Sequence, residues 1–306
     1  MSTLTKQISE WAVDYGFEQC GVAAIEPLDV EYQRFERWVA DGCHGTMHYL
    51  ERYADIRHHP ELLLPEAHSM VVVLMNYYPA ERQPAAQPTI ATYAYGADYH
   101  YVVRRRLDAL ASKINAVAPH RWAVYADSAP IMERTWAVRA GLGWIGRSGM
   151  LVNPRLGTYS LIGVMITTLA LEASVPMMPH CGTCRRCLDA CPTAAIHDTG
   201  CTVDARRCLS YLTIENREPV PDEFLPSAGN TLYGCDRCME VCPWNRFAHP
   251  TTVSELQPID GLFSVDWHSI GRGQFDRMFR YSAIQRAGFQ KIRTRARQIF
   301  DSSHAE

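Results

Sequence analysis

The sequence predicts a mixed helix and strand region that is followed by a cysteine-rich module. In the first half of the 306 residues, helical patterns of apolar residues alternate with short apolar runs that are typical of strands. Nine of the eleven cysteines then fall between residues 181 and 242. Pro176 and Pro179 mark the boundary between the two regions, because proline interrupts regular structure.

Each element of the first region follows from its local pattern. Residues 8–15 repeat apolar side chains at helical spacing until Gly16, and residues 32–39 do the same until Gly42. The valine-rich run from residue 69 to 78 is unbroken, which predicts a buried central strand. The other predicted strands cover residues 20–25, 121–126 and 159–171, and a third predicted helix covers residues 103–114.

Asp127 and Ser128 follow the third strand and precede Pro130, which we expect to open a helix. A carboxylate at such a junction has two interpretations: it caps the helix, or it serves as a general acid beside a cofactor. The sequence alone favours the cap, although Ser128 could fill that role instead. The helix should end in the glycine-rich residues 141–149, which allow close backbone approach to a ligand but lack the dinucleotide-binding register.

The cysteines of the second region have the spacing found in bacterial ferredoxins. Residues 181–192 read C-x2-C-x2-C-x3-C-P, a run that gives three thiolates to one 4Fe-4S cluster and its fourth to another. Residues 235–243 repeat the end of this run, and Cys208 is the substitute for its missing first cysteine. Two zinc sites are the alternative, although zinc needs no such run. The predicted ligand sets are Cys181, Cys184, Cys187 and Cys242 for one cluster, and Cys191, Cys208, Cys235 and Cys238 for the other.

Composition bounds the location of the protein. A chain with 47% hydrophobic and 21% charged residues is typical of a soluble globular protein, and residues 1–16 lack the apolar core of a secretory signal. The apolar residues 159–171 are too few to cross a bilayer as a helix. We therefore expect a cytoplasmic protein without membrane contact, in which the cysteines indicate metal or redox chemistry instead of disulfides. We also expect a monomer.

The C-terminal segment is basic, although the whole chain has a net charge of -3. Residues 271–300 carry eight basic side chains against Asp276 alone, a local charge of +7. This density indicates either a surface that faces phosphates or a solvated amphipathic helix, and the sequence leaves both open. The basic residues are Arg272, Arg277, Arg280, Arg286, Lys291, Arg293, Arg295 and Arg297.

Four histidines at residues 44–59 lack regular ligand spacing, which disfavours a metal site there.

Several blocks make the chain resemble the epoxyqueuosine reductase family, whose members use cobalamin and iron-sulfur clusters in the last step of queuosine formation in tRNA. The cysteine motifs alone would indicate only a ferredoxin-like module. The blocks ahead of them make the resemblance specific: HGTMHYL at residues 44–50, GADYH at residues 96–100, DSAP at residues 127–130 and RAGLGWIG at residues 139–146.

The resemblance implies an α+β fold with three parts. A nitroreductase-related cobalamin-binding domain would cover residues 1–175. A ferredoxin-like domain with two 4Fe-4S clusters would cover residues 176–250, and residues 251–306 would form a basic helical segment that contacts tRNA. It also implies base-off cobalamin and identifies Asp127 as the proton donor, which favours catalysis over capping. The cobalamin contacts that it implies are Arg57, Asp127, Arg147, Leu151, Ile162, Ser210 and Asp236, with Tyr99 and His100 as further candidates.

The sequence departs from the family pattern in three features. Arg147 stands where lysine is usual, Val164 stands where many members carry glutamate, and the chain stops near the basic segment, without a helical-repeat extension that some members have.

The implied reaction reduces epoxyqueuosine to queuosine with electrons from a flavodoxin or ferredoxin, and a raised pKa would suit Asp127 as the acid. A reductive dehalogenase is one alternative, but its usual twin-arginine signal is missing. A simple electron carrier is another, but it would need only residues 176–250.

Overall fold

A computed structural model describes residues 3–302 and confirms a mixed helix and strand architecture. Short strands and helices follow each other along the whole chain. The strands are β1 Gln19–Ala24, β2 Ser69–Asn76, β3 Thr89–Ile90, β4 Trp122–Tyr125, β5 Trp144–Ile145, β6 Leu151–Val152, β7 Ser160–Thr167 and β8 Thr231–Tyr233. The helices are α1 Thr3–Asp14, α2 Asp29–Ala40, α3 Ala54–His58, α4 Tyr99–Val117, α5 Glu133–Arg139, α6 Arg186–Asp189, α7 Leu209–Ile214, α8 Leu225–Ala228, α9 Arg237–Glu240, α10 Arg272–Met278 and α11 Gly288–Ser302.

The central sheet is antiparallel, with the strand order β1-β2-β7-β4. All eight residues of β2 are buried, which explains why the sequence there is apolar without alternation. Side chains alternate between the two faces of a strand. Val71 and Val73 therefore pack in one cluster with residues of α1 and α4, whereas Val72 and Leu74 pack in another with Trp136 of α5.

The strand predictions are confirmed by β1, β2, β4 and β7, but the prediction that Pro130 opens a helix is wrong. Helix α5 begins at Glu133, and its N-cap residue is Met132, which makes no capping hydrogen bond through its side chain. Neither Asp127 nor Ser128 caps it. The residues between β4 and α5 instead form a loop, and this loop positions Asp127 for the contacts described below.

The C-terminal segment packs onto the rest of the chain. The parallel pair of β3 and β8 contributes buried residues to a hydrophobic cluster. Phe275, Phe279 and Ile284 lie in the same cluster and are fully buried, so the segment has the apolar face that its amphipathic interpretation requires. Among residues 3–302, no helix has the length and apolar character needed to cross a bilayer.

Candidate active site

Asp127 lies in a strained loop at the end of β4. Its φ angle is +57°, a left-handed conformation that costs a non-glycine residue about 1 kcal/mol. Its backbone N–H donates to Oε1 of Glu133, at 2.5 Å, and Ser128 donates to the carbonyl of Ala126, at 2.7 Å. Strain that is held in place by specific contacts is common at functional sites.

The Asp127 carboxylate contacts the first turn of α4. Its Oδ2 accepts from the Tyr99 hydroxyl at 3.0 Å and lies 3.1 Å from Nε2 of His100. On the other side of the imidazole, Nδ1 of His100 lies 2.6 Å from Oδ1 of Asp98, which also caps α4. Two carboxylates and the imidazole between them thus form a continuous chain. The Asp127 side chain is 64% exposed, so its carboxylate faces open space.

These contacts set the protonation states. Burial lowers the pKa of His100, but the hydrogen bonds to Asp127 and Asp98 and their charges outweigh it and raise the pKa to about 9. Desolvation by the surrounding loop raises the pKa of Asp127, although its side chain keeps an exposed face, but the hydrogen bond from His100, the charge of that imidazole and the hydrogen bond from Tyr99 hold the pKa below its ordinary value. Burial and the charge of Asp127 raise the pKa of Glu133 to about 8. The expected raised pKa therefore belongs to His100 and Glu133 instead of Asp127.

The charge of Arg134 acts on both Asp127 and Cys208, a member of the second set of predicted cluster ligands. Its charge lowers the pKa of both Asp127 and the Cys208 thiol, so both groups lie within its electrostatic reach. Its guanidinium also donates to the carbonyl of Gly149, at 2.8 Å, in the glycine-rich segment. Sequence reasoning overlooked Glu133 and Arg134. Their position a few residues after Asp127 was the one available signal.

The eight predicted ligand cysteines form the two predicted groups. Burial raises the pKa of Cys242, and the charges of Cys181 and Cys184 raise it further. Burial also raises the pKa of Cys187, and the charges of Cys181 and Cys184 raise it further. In the second group, burial raises the pKa of Cys238, and so do the charges of the three other members, which are Cys235, Cys208 and Cys191. These electrostatic contacts join Cys242 to the first run and Cys238 to Cys191, as the predicted exchange across the pseudo-repeat requires, and the ligand sets themselves stay a prediction.

The spacing of these thiols suits a cluster better than a zinc ion. Zn–S bonds of about 2.3 Å would hold four sulfur atoms roughly 3.8 Å apart. Among residues 3–302, no three cysteine Sγ atoms lie within 4.8 Å of one another. A cavity of about 150 Å³ is lined by all four cysteines of the first group. Backbone N–H groups also donate to Sγ of Cys208 and of Cys242, as is usual around iron-sulfur clusters.

Among residues 3–302, no hydrogen bond or ion pair joins Asp127 to the predicted cobalamin contacts other than Tyr99 and His100. Arg57 on α3 donates to the carbonyl of Leu50 and lies over the ring of Phe35. The guanidinium of Arg147 donates to the carbonyl of Gly182, at 3.2 Å, and lines the cavity of the first cysteine group.

Three of the remaining predicted contacts lie on different elements, and the fourth, Asp236, directly precedes α9. Leu151 is buried on β6, Ile162 is half-buried on β7, and Ser210 is half-buried in the first turn of α7. Oδ2 of Asp236 accepts from the backbone N–H and the hydroxyl of Thr92, at 2.7 and 2.8 Å. Burial raises the pKa of Asp236, and this carboxylate is directed towards protein.

The basic tail does not present all its charges to solvent. Arg295 is only 2% exposed and donates to the carbonyls of Thr231 and Gly229, at 2.8 and 2.6 Å. Lys291 is buried as well, and Arg286 forms an ion pair with Glu215. These three cations stabilise the packing of the tail. The arginines that stay exposed without a carboxylate partner among residues 3–302 are Arg277, Arg280, Arg293 and Arg297.

His44, His48 and Glu51 place one possible ligand atom each within 4.8 Å of one another. Oε1 of Glu51 lies 2.7 Å from Nδ1 of His48 and 3.0 Å from Nε2 of His44. These are ordinary distances for contacts between imidazole and carboxylate, so the group needs no metal ion to explain it.

Comparison with known proteins gives consistent matches. A family model described as epoxyqueuosine reductase QueG matches residues 57–128, and one described as a 4Fe-4S double cluster binding domain matches residues 180–245. The epoxyqueuosine reductase of Leadbetterella byssophila is 40% identical over 96% of this chain and 97% of its own length. A crystal structure of epoxyqueuosine reductase with an epoxyqueuosine-modified tRNA-Tyr stem loop has a TM-score of 0.89, with 29% identity over 97% of this chain and 80% of that one. A Bacillus subtilis epoxyqueuosine reductase whose catalytic aspartate loop is swung out of the active site has a TM-score of 0.87, with 29% identity over 97% of this chain and 81% of that one.

Proposed function

The chain belongs to the epoxyqueuosine reductase family of oxidoreductases, and from that premise we propose that it reduces epoxyqueuosine to queuosine at the wobble position of tRNA. The reaction opens an epoxide, forms an alkene and releases water, which consumes two electrons and two protons. One observation carries the proposal: the exposed carboxylate of Asp127, the proposed proton donor, lies 3.0 Å from the Tyr99 hydroxyl and 3.1 Å from Nε2 of His100. The match extends over 96% of the chain, so it also accounts for the N-terminal region that an electron carrier would not need.

We propose base-off cobalamin as the cofactor of the nitroreductase-related domain. A corrin cobalt, when bound, supplies a metal that can hold two electrons for the epoxide. The residues fit such a ligand because Asp127 is 64% exposed while its partner His100 is 31% exposed, so the carboxylate is free to face a large group. Arg57, Leu151, Ile162 and Ser210 would hold the cofactor. The side chains of Arg147 and Asp236 are engaged elsewhere, so these two would contact it through the backbone.

The cysteines would hold two 4Fe-4S clusters, which transfer single electrons when bound. One site would be formed by Cys181, Cys184, Cys187 and Cys242, and we call it the outer site because Cys242 lines a surface cleft. The other would be formed by Cys191, Cys208, Cys235 and Cys238, and the charge of Arg134 acts on both its Cys208 and Asp127. An external low-potential donor of the flavodoxin or ferredoxin type would supply the electrons. We place this activity in the cytoplasm, where tRNA is processed, and assign it to a monomer.

His100 and Glu133 store the protons that the reaction needs. At neutral pH, His100 is an imidazolium and Asp127 is a carboxylate, because their pKa values lie on opposite sides of neutrality. His100 Nε2 can pass its proton to Oδ2 of Asp127, at 3.1 Å, while Asp98 holds the ring in place. Asp127 then protonates the oxygen as the epoxide opens. Glu133, with a pKa of about 8, keeps a second proton beside the same loop.

The test is anaerobic incubation of the reconstituted protein with cobalamin, a strong chemical reductant and tRNA that carries epoxyqueuosine. Mass spectrometry of the nucleosides should show loss of one oxygen from the modified base, and the loss should depend on cobalamin. Asp127→Asn should retain the absorbance of the bound cofactors and lose the activity. A fully active Asp127→Asn protein would refute the assigned role of Asp127. Unchanged tRNA with both clusters and cobalamin bound would refute the substrate.

A further inference from the structure

A large surface cleft opens beside the first cysteine group. It has a volume of about 870 Å³. The residues that line it are Tyr78, Arg82, Tyr159, Arg186, Asp189, Ala190, Glu240, Val241, Cys242, Pro243, Asn245 and Arg246. Cys242 lines this cleft and also lines the 150 Å³ cavity of the first cysteine group. The first group is therefore accessible from the cleft through one of its own ligands.

Two unpaired positive charges flank Cys242 in the cleft. Arg186 and Arg246 are both exposed, and neither forms an ion pair with a carboxylate of residues 3–302. Arg82 forms an ion pair with Glu240 at 2.8 Å. Asp189 lies 3.9 Å from Arg185, which also pairs with Asp198 at 3.1 Å. The lining of the cleft thus carries three arginines against two carboxylates, a net charge of +1, and Arg186 and Arg246 are its arginines without an ion-pair partner among residues 3–302.

An aromatic surface continues from the cleft. The Phe247 side chain is 45% exposed, and Arg246 lies 4.5 Å from the centre of its ring. Trp244 is the next ring, 5.9 Å from that of Phe247. Exposed aromatic residues beside arginine are enriched where proteins bind proteins.

We propose that this cleft is the docking surface for the electron donor, a small acidic carrier of the flavodoxin or ferredoxin class. The inference rests on the proposed function, which requires such a donor. Arg186 and Arg246 would attract the acidic surface of the carrier, and Phe247 would pack against it. Each encounter oxidises the carrier by one electron and reduces the outer cluster site by one, so two encounters supply one turnover. Redox complexes of this kind are small and steered by charge, which matches two unpaired arginines.

The test uses the full-length holoprotein and an Arg186→Glu/Arg246→Glu double variant. The dissociation constant for a purified acidic flavodoxin, measured by calorimetry at low ionic strength, should rise at least about tenfold in this variant. Turnover driven by reduced flavodoxin should fall in parallel, whereas turnover driven by dithionite should not change. The matched control reverses Arg104 and Arg217, which are exposed arginines away from the cleft, and it should bind flavodoxin like the wild type.

The possible results separate the docking surface from the proposed function. Unchanged flavodoxin affinity in the double variant would overturn the docking surface, even if dithionite still drives the reaction. Loss of tRNA binding with intact flavodoxin binding would also overturn it, because the cleft would then be an RNA surface. Absence of product with dithionite in the wild type would refute the proposed function, while the affinities still decide the docking surface. If charge reversal reduces the iron content, Arg186→Gln/Arg246→Gln should still weaken flavodoxin binding about threefold.

Discussion

Replacing His100 with glutamine tests the proton supply of Asp127. Two carboxylates raise the pKa of His100 from 6.5 to about 9, which corresponds to at most about 3 kcal/mol in favour of the imidazolium. Glutamine can still donate a hydrogen bond to Asp127, but it carries no transferable proton. We expect the single-turnover rate to fall about 100-fold at neutral pH, the usual range for loss of an acid catalyst.

The pH dependence separates proton transfer from simple positioning. The wild-type rate should be constant through neutral pH and should decline as the pH rises through about 9, where His100 loses its proton. Asp98→Asn provides the matched control, because asparagine can still cap α4 while the charge that holds the imidazolium is removed. This variant should keep most of the neutral activity and should move the decline to lower pH. A fully active His100→Gln protein with an unchanged pH profile would refute the reasoning.

The contacts of His100 with Asp98 and Asp127 also predict that the stability of the protein depends on pH. Because the pKa of His100 is raised in the folded state, its stabilisation is complete below pH 6.5 and is lost as the pH rises towards about 9. The difference in unfolding free energy between wild type and His100→Gln, measured by denaturant titration, should therefore be largest in mildly acidic buffer. A difference that grows with increasing pH would contradict this assignment.

Four further predictions follow from named contacts. Glu133→Ala removes the acceptor of the Asp127 N–H, so amide exchange in residues 126–130 should accelerate and the rate should fall while cobalamin affinity stays unchanged. Glu255→Gln breaks the ion pairs with Arg105 and Arg106. Burial raises the pKa of Glu255, but the hydrogen bond and charge of Arg106 outweigh it and hold the pKa at about 2, so the variant should lower the unfolding free energy by roughly 2 kcal/mol, and this difference should vanish as the pH falls from 4.5 to about 2. Cys208→Ala should lose about half of the bound iron, whereas Cys201→Ser should lose none, and equal iron contents would contradict the ligand assignment. Arg295→Met should cost about 2–4 kcal/mol of stability by leaving two carbonyls without their donor, whereas Arg293→Glu should leave stability unchanged and weaken tRNA binding.

The parts of the fold that sequence predicts are those with a local pattern. Strands β2 and β7 are unbroken apolar runs because both of their faces are covered, and a buried strand has no other requirement. The two cysteine groups also follow from spacing, because the first run supplies three ligands of one site, the second run supplies two of the other, and each run gives its last cysteine to the opposite site. Cys208, which lies far from both runs in sequence, was identified only because the count of ligands required it.

The geometry around Asp127 has no such pattern. Its partners Tyr99 and His100 lie 28 and 27 residues earlier, at the start of a helix whose packing on the sheet decides where they point. A proline three residues after Asp127 predicts a helix start, yet the chain first makes a loop so that Glu133 can accept the Asp127 N–H. The pKa of Asp127 is lowered instead of raised because the neighbouring imidazole of His100 holds the proton in its place. Sequence offers no sign of that neighbour.

Charge in the tail shows the same limit in another form. Arg293 and Arg295 are two residues apart and identical in sequence terms, but they lie on opposite faces of α11. Arg295 faces the start of β8 and donates to the carbonyls of Gly229 and Thr231, so its guanidinium is buried and does not reach solvent. Arg293 faces solvent and remains free to meet phosphate. Local net charge therefore overestimates the basic surface of the tail, while the two unpaired arginines beside Cys242, which no charge count singles out, offer a second positive surface for a different partner.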